Sequence, residues 1–273
     1  MLMKSEPEQR KARHFIESLP AVGRYHFDST EARAALGETA AKFTLSRLAK
    51  QGVIASPARG FYVIVPPEYR ALRCLPADQF IPALMKKLDL AYYAGLLTAA
   101  QYHGAAHQRP QEFQVFLEKP RRAIECGKVR VAFVTRRRLR DVSTRCLNTP
   151  RGGLLVSTPE ATAVDLVGYQ HRAGGLGHVA TVLAELAEKI EPEALAAAAD
   201  TAPLPWAQRL GYLLEQVGAS EKLGPLKAYV RARVQESVML LPNATRPGVV
   251  RANGTARSED WKLCINADVE AEL

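Results

Sequence analysis

Cysteines are few in this sequence, and long hydrophobic runs are missing. The four cysteines stand far apart and form no Cys-x2-Cys pair, which argues against a zinc module and favours buried, inert thiols in a reducing compartment. They are Cys74, Cys126, Cys146 and Cys264. No run of about 18 apolar residues occurs, so we expect no membrane-spanning helix. The N-terminus has an early charge at Lys4 and no apolar segment, which argues against a signal peptide, and we expect a cytoplasmic protein.

Motifs of the common enzyme classes are also missing. The sequence contains no Walker phosphate loop, no Gly-x-Gly-x-x-Gly and no Gly-x-Ser-x-Gly. His103 and His107 have a spacing that suits a metal, but Gly104 separates them and no third ligand is evident. Asp260-Trp261-Lys262 is the one late acid–x–lysine triplet of the kind that nucleases use, and its tryptophan favours a structural role. We therefore expect no catalytic residue, no metal site and no cofactor.

Positive charge is plentiful and unevenly distributed. The formal net charge is +9, while 47% hydrophobic and 24% charged residues are normal for a globular protein with a buried core. Residues 1–67 contain 10 basic and 6 acidic residues, residues 68–160 contain 16 and 8, and residues 161–273 contain 11 and 14. This clustering favours a polyanionic partner, because solvation alone does not require it.

The first part of the chain predicts three short helices. Apolar residues at helical spacing mark a helix over Lys11–Leu19. Asp28 and Glu31 have the spacing of a capping box and open a second helix, which Gly37 ends. A third helix follows and ends near Gly52.

Two strands complete this segment. Val53-Ile54 begins an extended stretch, the turn Ser56–Gly60 follows, and Phe61–Val65 forms a strand that Pro66-Pro67 stops. The order of helix, helix, turn, helix, strand, turn, strand predicts a winged helix-turn-helix DNA-binding domain over residues 1–67.

The third helix supplies the candidate DNA contacts. Ala41, Leu45 and Leu48 form its inward face, so the polar side chains point outward. Lys42 and Ser46 are the candidates for base edges, with Phe43 meeting a thymine methyl or packing into the core. The full set of candidate DNA-binding residues is Thr39, Lys42, Phe43, Ser46, Arg47, Lys50 and Arg59. Of these, Thr39, Lys50 and the wing residue Arg59 suit phosphate contacts, and the alternative is a solvated face that binds nothing.

Residues 68–273 predict a mixed α/β domain with a central sheet. Strands are predicted over Glu112–Leu117, Lys128–Val134, Leu154–Val156 and Trp261–Asn266. Helices are predicted over Ala77–Lys87, Ala91–His103, the segment that Thr158 caps and Pro159 begins, Val179–Lys189, Pro192–Ala199, Trp206–Val217 and Leu226–Val234. Asp165 lies in an apolar helix, which favours pairing with an arginine over a catalytic role. The fold class is therefore α+β, with a winged helix-turn-helix followed by an α/β domain.

A second basic patch flanks the strand Lys128–Val134. It consists of Arg121, Arg122, Arg136, Arg137, Arg138 and Arg140. These arginines are candidates for additional DNA phosphates, for RNA or for an acidic protein surface, and a solvated sheet edge is the alternative.

Several segments resemble one family. Leu45-Ser46-Arg47-Leu48-Ala49-Lys50-Gln51-Gly52-Val53-Ile54 and Arg59-Gly60-Phe61-Tyr62-Val63 look like the N-terminal domain of AbiEi proteins. Tyr92–Gly104, Val156-Ser157-Thr158-Pro159-Glu160-Ala161-Thr162-Ala163-Val164-Asp165-Leu166, Arg209-Leu210-Gly211-Tyr212-Leu213-Leu214-Glu215 and the terminal Trp261–Asn266 resemble successive segments of the same family. Together they cover nearly the whole chain in the right order.

The resemblance implies a function. AbiEi proteins are antitoxins and transcriptional regulators of type IV toxin–antitoxin and abortive-infection (phage defence) operons. For this chain it implies repression of its own operon through promoter double-stranded DNA. It also implies opposition to a co-encoded nucleotidyltransferase toxin without a stable complex. The alternative is a DNA-binding adaptor or nuclease-like subunit of a defence system.

Overall fold

The computed structural model describes residues 6–105, 110–242 and 256–269, and within them the chain is mixed α/β with several sheets. The helices are α1 (Glu6–Ala21), α2 (Ser29–Leu36), α3 (Glu38–Lys50), α4 (Ala77–Leu88), α5 (Leu96–Tyr102), α6 (Pro159–Gly168), α7 (Leu176–Leu186), α8 (Pro192–Asp200), α9 (Leu204–Gln216) and α10 (Gly224–Arg233). The strands are β1 (His26–Asp28), β2 (Ile54–Ala58), β3 (Phe61–Ile64), β4 (Tyr93–Ala94), β5 (Phe113–Leu117), β6 (Ile124–Cys126), β7 (Val129–Thr135), β8 (Thr144–Thr149), β9 (Gly152–Ser157), β10 (Val238–Met239), β11 (Arg257–Ser258) and β12 (Leu263–Cys264). None of the described helices is long and apolar enough to cross a membrane.

The chain divides into two compact units. The first unit comprises residues 1–93, 111–136 and 146–155, and the second comprises residues 94–110, 137–145 and 156–273. The chain therefore passes between the units several times. The boundary after Pro67 stays a prediction about which part folds independently.

Three helices and a small sheet open the first unit. The sheet has the order β1-β3-β2 with antiparallel pairs, and His26 pairs with Val63. Ile16, Phe27 and Leu45 are buried in the core that joins the helices to this sheet. The capping box is confirmed: Asp28 accepts from the backbone N–H groups of Thr30 and Glu31, and Glu31 accepts from the Asp28 N–H.

A second apolar cluster in the first unit contains residues that precede Pro67 in the sequence and residues that follow it. In the sheet around β7, β5 pairs with it in parallel and β6 pairs with it antiparallel. Buried residues of β3, α4 and β7, such as Phe61, Phe80 and Val131, belong to one hydrophobic cluster. The small N-terminal sheet is therefore not isolated from the chain that follows it.

The second unit is built largely from helices. α6 begins as predicted, with the Thr158 hydroxyl accepting from Ala161 N at 3.3 Å and Pro159 in the first turn. Every residue from Pro159 to Val167 is buried, so α6 is enclosed on all sides. Asp165 is fully buried in it, and its predicted arginine partner stays a prediction.

Some predicted elements are corrected by the structure. The helix predicted over Ala91–His103 is a short strand, β4, followed by α5. Leu96 has a φ of +52°, and Ala94 pairs in parallel with Val156, so the chain is extended before it turns into the helix. Strands β1, β6, β8, β10 and β11 were not predicted, and the terminal strand is only Leu263–Cys264.

Candidate nucleic-acid interface

One face of α3 is anchored in the core and the other is open. Ala41, Leu45 and Leu48 are buried, as their spacing predicts, and Thr44 is buried beside them. We call the opposite side the α3 face. It consists of Thr39, Lys42, Phe43, Ser46, Arg47 and Lys50, of which Arg47 is half-buried and the others are exposed.

The α3 face has positive charges without acidic partners. Within the described residues, no carboxylate forms an ion pair with Lys42, Arg47 or Lys50. The one acidic side chain at the start of the helix, Glu38, lies 3.2 Å from Arg33. The positive charges of the α3 face are therefore available to attract an anionic partner, because they are not used in ion pairs within the described fold.

Phe43 projects from this face. Its exposed fraction is 72%, so it does not pack into the core. A shallow cleft of about 420 Å³ lies beside it, lined also by Thr39 and Thr44. An exposed aromatic side chain next to a cleft is a suitable contact for an apolar group on a partner.

The hairpin of β2 and β3 presents Arg59. Ala58 and Phe61 pair across its tip, and Gly60 takes a φ of +70° in the turn between them. The Ser56 hydroxyl donates to the carbonyls of Ala58 and Phe61 at 3.0 and 3.1 Å, which fixes the bend. Arg59 is exposed, and all seven predicted DNA-binding residues lie in the first unit.

The six arginines of the second basic patch differ in their exposure and in their contacts. Arg136 is buried, with an exposed fraction of 3%, and Arg138 bonds to Asp141 at 2.7 Å and to the Asp200 carbonyl at 3.0 Å. Arg121 lies 5.7 Å from the centroid of the Phe133 ring. The exposed members are Arg122, Arg137, Arg138 and Arg140. Arg121, Arg122 and Arg136 belong to the first unit, and Arg137, Arg138 and Arg140 to the second.

Three arginines with specific environments were not singled out by the sequence. Arg151 is nearly enclosed: its Nε donates to Gln79 Oε1 at 2.5 Å and its guanidinium lies 3.2 Å from the Tyr25 ring centroid. Arg70 and Arg73 line a cleft of about 590 Å³ together with Lys50. We call this the cation cleft. Only the three-dimensional position of these arginines distinguishes them from the other basic residues, so no sequence motif could have identified them.

A buried polar cluster lies in the second unit. His103 Nε2 is 2.8 Å from the Ser157 carbonyl, and Arg145 approaches His103 Nδ1 at 2.6 Å. Because a guanidinium only donates, Nδ1 must accept, and Nε2 donates its proton to Ser157. Burial is the main cause that lowers the pKa of His103, and the charges of Arg145 and Lys189 act in the same direction. His103 is therefore a neutral, structural histidine.

The remaining candidates for chemistry also have structural roles. Asp260 pairs with Lys227 at 2.6 Å and with Arg231 at 2.8 Å, and Trp261 is fully buried. Within the described residues, no group of three or more His, Cys, Asp or Glu side chains is placed to hold a metal. His107 lies outside the described residues.

The thiols differ in their environments. A hydrogen bond with Cys126 and burial together raise the pKa of Cys74, so this thiol stays protonated. Cys74 and Cys126 are buried as expected, whereas Cys146 is exposed and Cys264 is half-buried. The prediction that the cysteines are buried is therefore wrong for Cys146.

The last two segments of the family resemblance contact each other. A Cβ on Gly211 would lie 2.1 Å from the Trp261 ring, so only glycine fits there. Trp261 Nε1 donates to Glu215 Oε2 at 2.9 Å, and Gln208 Nε2 donates to the Trp261 carbonyl at 3.1 Å. The C-terminal tryptophan is thus held against α9.

A comparison with known families decides what this region is. Residues 93–216 match the family model of the AbiEi antitoxin C-terminal domain. Residues 93–216 of the chain therefore correspond to an AbiEi-type antitoxin C-terminal domain. The resemblance given by the sequence motifs is confirmed, and Ser157, His103 and Gly211 all lie within the matched AbiEi residues.

A solved structure shows the same fold as this chain. It is described as the crystal structure of RV2827C protein from Mycobacterium tuberculosis, with a TM-score of 0.66 and 16% sequence identity, over 93% of this chain and 90% of that one. At this identity the likeness concerns the fold alone. No curated protein matches the chain.

Proposed function

We propose that this chain is an antitoxin that represses its own operon by binding promoter double-stranded DNA through residues 1–67, a winged helix-turn-helix. The observation that carries the proposal is the α3 face, which is cationic, exposed and without acidic partners among the described residues. It occurs in a chain whose residues 93–216 match the AbiEi antitoxin C-terminal domain. The order of α1, α2, α3, β2 and β3, with the exposed Arg59 at the hairpin tip, fits the wing of such a domain.

Each side chain of the α3 face has a role that fits its chemistry. Lys42 and Ser46 are one helical turn apart and exposed, so they are the base-reading pair. The exposed ring of Phe43 is a contact for a thymine methyl group. Thr39, Arg47, Lys50 and Arg59 supply phosphate contacts, which position the protein on the duplex.

The second function is opposition to a toxin. We propose that residues 68–273 counteract a co-encoded nucleotidyltransferase-type toxin without forming a stable complex with it, as the family resemblance implies. The proposal assigns no catalytic residue and no cofactor to this part. Among the arginines of the second basic patch, Arg122 and Arg137 are exposed and not enclosed by the fold, so they are the first to substitute in a search for the toxin-opposing surface.

The proposed binding to promoter DNA is tested by a binding experiment. In the full chain, Lys42→Ala with Ser46→Ala is expected to reduce the preference for promoter DNA over random DNA by about 1–3 kcal/mol for a lost base contact. Fluorescence anisotropy with both duplexes at the same salt concentration measures this ratio.

The matched control uses the same residue types on another helix. Lys11 and Ser18 are exposed on α1, so Lys11→Ala with Ser18→Ala removes an equal charge and an equal hydroxyl. We expect this control to keep the full preference for promoter DNA. A Lys42 and Ser46 variant with an unchanged preference would mean that α3 does not read the bases.

A further inference from the structure

The cation cleft lies at the C-terminal end of α3. Lys50, Arg70 and Arg73 line it, with Gly52, Cys126 and Gly127 among the residues of its wall, and no carboxylate side chain is part of the lining. Arg70 and Arg73 are exposed, and no described residue forms an ion pair with either of them or with Lys50. The cleft therefore combines three positive charges with a volume of about 590 Å³.

The end of the helix does not account for three cations. The C-terminus of a helix carries the equivalent of about half a negative elementary charge, which one nearby cation is enough to balance. Lys50 in the last turn of α3 already provides such a cation. The charges of Arg70 and Arg73 are left without a partner of the opposite sign inside the described fold.

The cation cleft continues the α3 face. Lys50 belongs to both, and Thr39, Phe43, Ser46 and Lys50 follow one another at spacings of three and four residues along one side of α3. Thr39 and Lys50 are about 16 Å apart along the helix axis, at about 1.5 Å per residue. The major groove of B-DNA is about 12 Å wide, so a helix that presents its middle to the bases places one end at the bordering phosphates.

We propose that Lys50, Arg70 and Arg73 form a clamp for the phosphate groups of the DNA backbone at the C-terminal end of α3. This inference rests on the proposed DNA-binding function and extends the interface beyond residue 67. The clamp contacts backbone oxygens only, so it adds affinity and salt dependence and leaves the sequence preference to the α3 face.

The test measures the salt dependence of DNA binding by the full chain. Each phosphate contact contributes about 0.9 to the slope of log K against log salt concentration, so Arg70→Gln with Arg73→Gln is expected to lower the magnitude of that slope by about 2. At roughly 0.1 M salt this corresponds to about a tenfold loss of affinity for each contact. The ratio between promoter and random DNA is expected to stay unchanged. Arg70→Gln alone is expected to lower the slope by about 1, and it provides a second variant if the double variant does not fold.

The control removes two charges elsewhere. Arg10 and Lys11 are exposed on α1, and Arg10→Gln with Lys11→Gln changes the net charge by the same amount. An equal loss of slope in this control, or an unchanged slope in the cleft variant, overturns the clamp. Inorganic triphosphate serves as a second probe: if the cleft variant loses triphosphate binding while its DNA slope is unchanged, the cleft belongs to a small phosphorylated ligand and the proposal is wrong. Wild-type protein that does not bind promoter DNA at all contradicts the proposed function itself, and the clamp with it.

Discussion

At the scale of single residues, His103 makes stability depend on pH. Its pKa is lowered from 6.5, chiefly by burial, so below pH 6.5 the unfolded chain takes up a proton that the folded chain does not. Stability is therefore expected to fall as the pH decreases from 6.5 towards the lowered pKa. His103→Gln removes this component, and urea unfolding at several pH values measures it. Identical slopes of stability against pH for the wild type and the variant would contradict the role given to His103.

The arginines show what the sequence cannot predict at this scale. Arg122 and Arg136 belong to the same predicted patch, yet Arg122 is exposed and Arg136 is buried. Arg151 lies in the most basic of the three segments, residues 68–160, but it is enclosed by Tyr25 and Gln79, which are more than 70 positions earlier in the sequence. Tertiary contacts decide whether an arginine is exposed or buried, and the neighbouring residues in the sequence do not reveal these contacts. The α3 face was predicted because helical spacing alone separates its inner and outer sides.

At the scale of secondary-structure elements, the packing of α9 gives a sharp prediction. Alanine normally stabilises a helix interior by about 1 kcal/mol relative to glycine. At Gly211 the added Cβ would lie 2.1 Å from the Trp261 ring, so we expect Gly211→Ala to destabilise the fold by about 1–3 kcal/mol, as overpacking does. Thermal or urea unfolding measures this change.

Two controls separate overpacking from a general effect of the substitution. Gly224, at the start of α10, has nothing within 4 Å of an added Cβ, so Gly224→Ala is expected to be neutral or stabilising. Combining Gly211→Ala with Trp261→Leu should cost less than the sum of the two single variants, because the ring that clashes is gone. Additive costs would show that Gly211 and Trp261 do not act on each other.

Motifs of neighbouring residues predicted many boundaries of helices and strands correctly. The predictions failed where a strand pairs with residues far away in the sequence. The capping box of Asp28 and Glu31 and the Thr158-Pro159 start of α6 depend on residues within a few positions of each other, and both are confirmed. The helix predicted over Ala91–His103 is wrong in its first residues, because pairing of Ala94 with Val156 extends the chain ahead of α5. Such a pairing joins residues far apart in the sequence, so it cannot be predicted from a short segment of the sequence.

At the scale of the whole molecule, the division of labour is best tested in the intact chain. Phe61 and Val63 share an apolar cluster with Phe80 and Val131, so a cut after residue 67 would expose apolar surface on both fragments. Loss of function in a fragment would then not distinguish a missing site from a damaged fold. Substitutions on the exposed α3 face avoid this problem, because they remove no buried contact.

The proposed function divides two roles within one chain: repression of its operon through the α3 face, and opposition to a toxin through another part. The most direct measurement compares two outputs of full-length Lys42→Ala with Ser46→Ala in cells: expression from the promoter, and survival when the co-encoded toxin is induced. We expect repression to be lost while protection from the toxin stays at the wild-type level, with equal amounts of folded protein. Lost protection, or repression that persists, would contradict it.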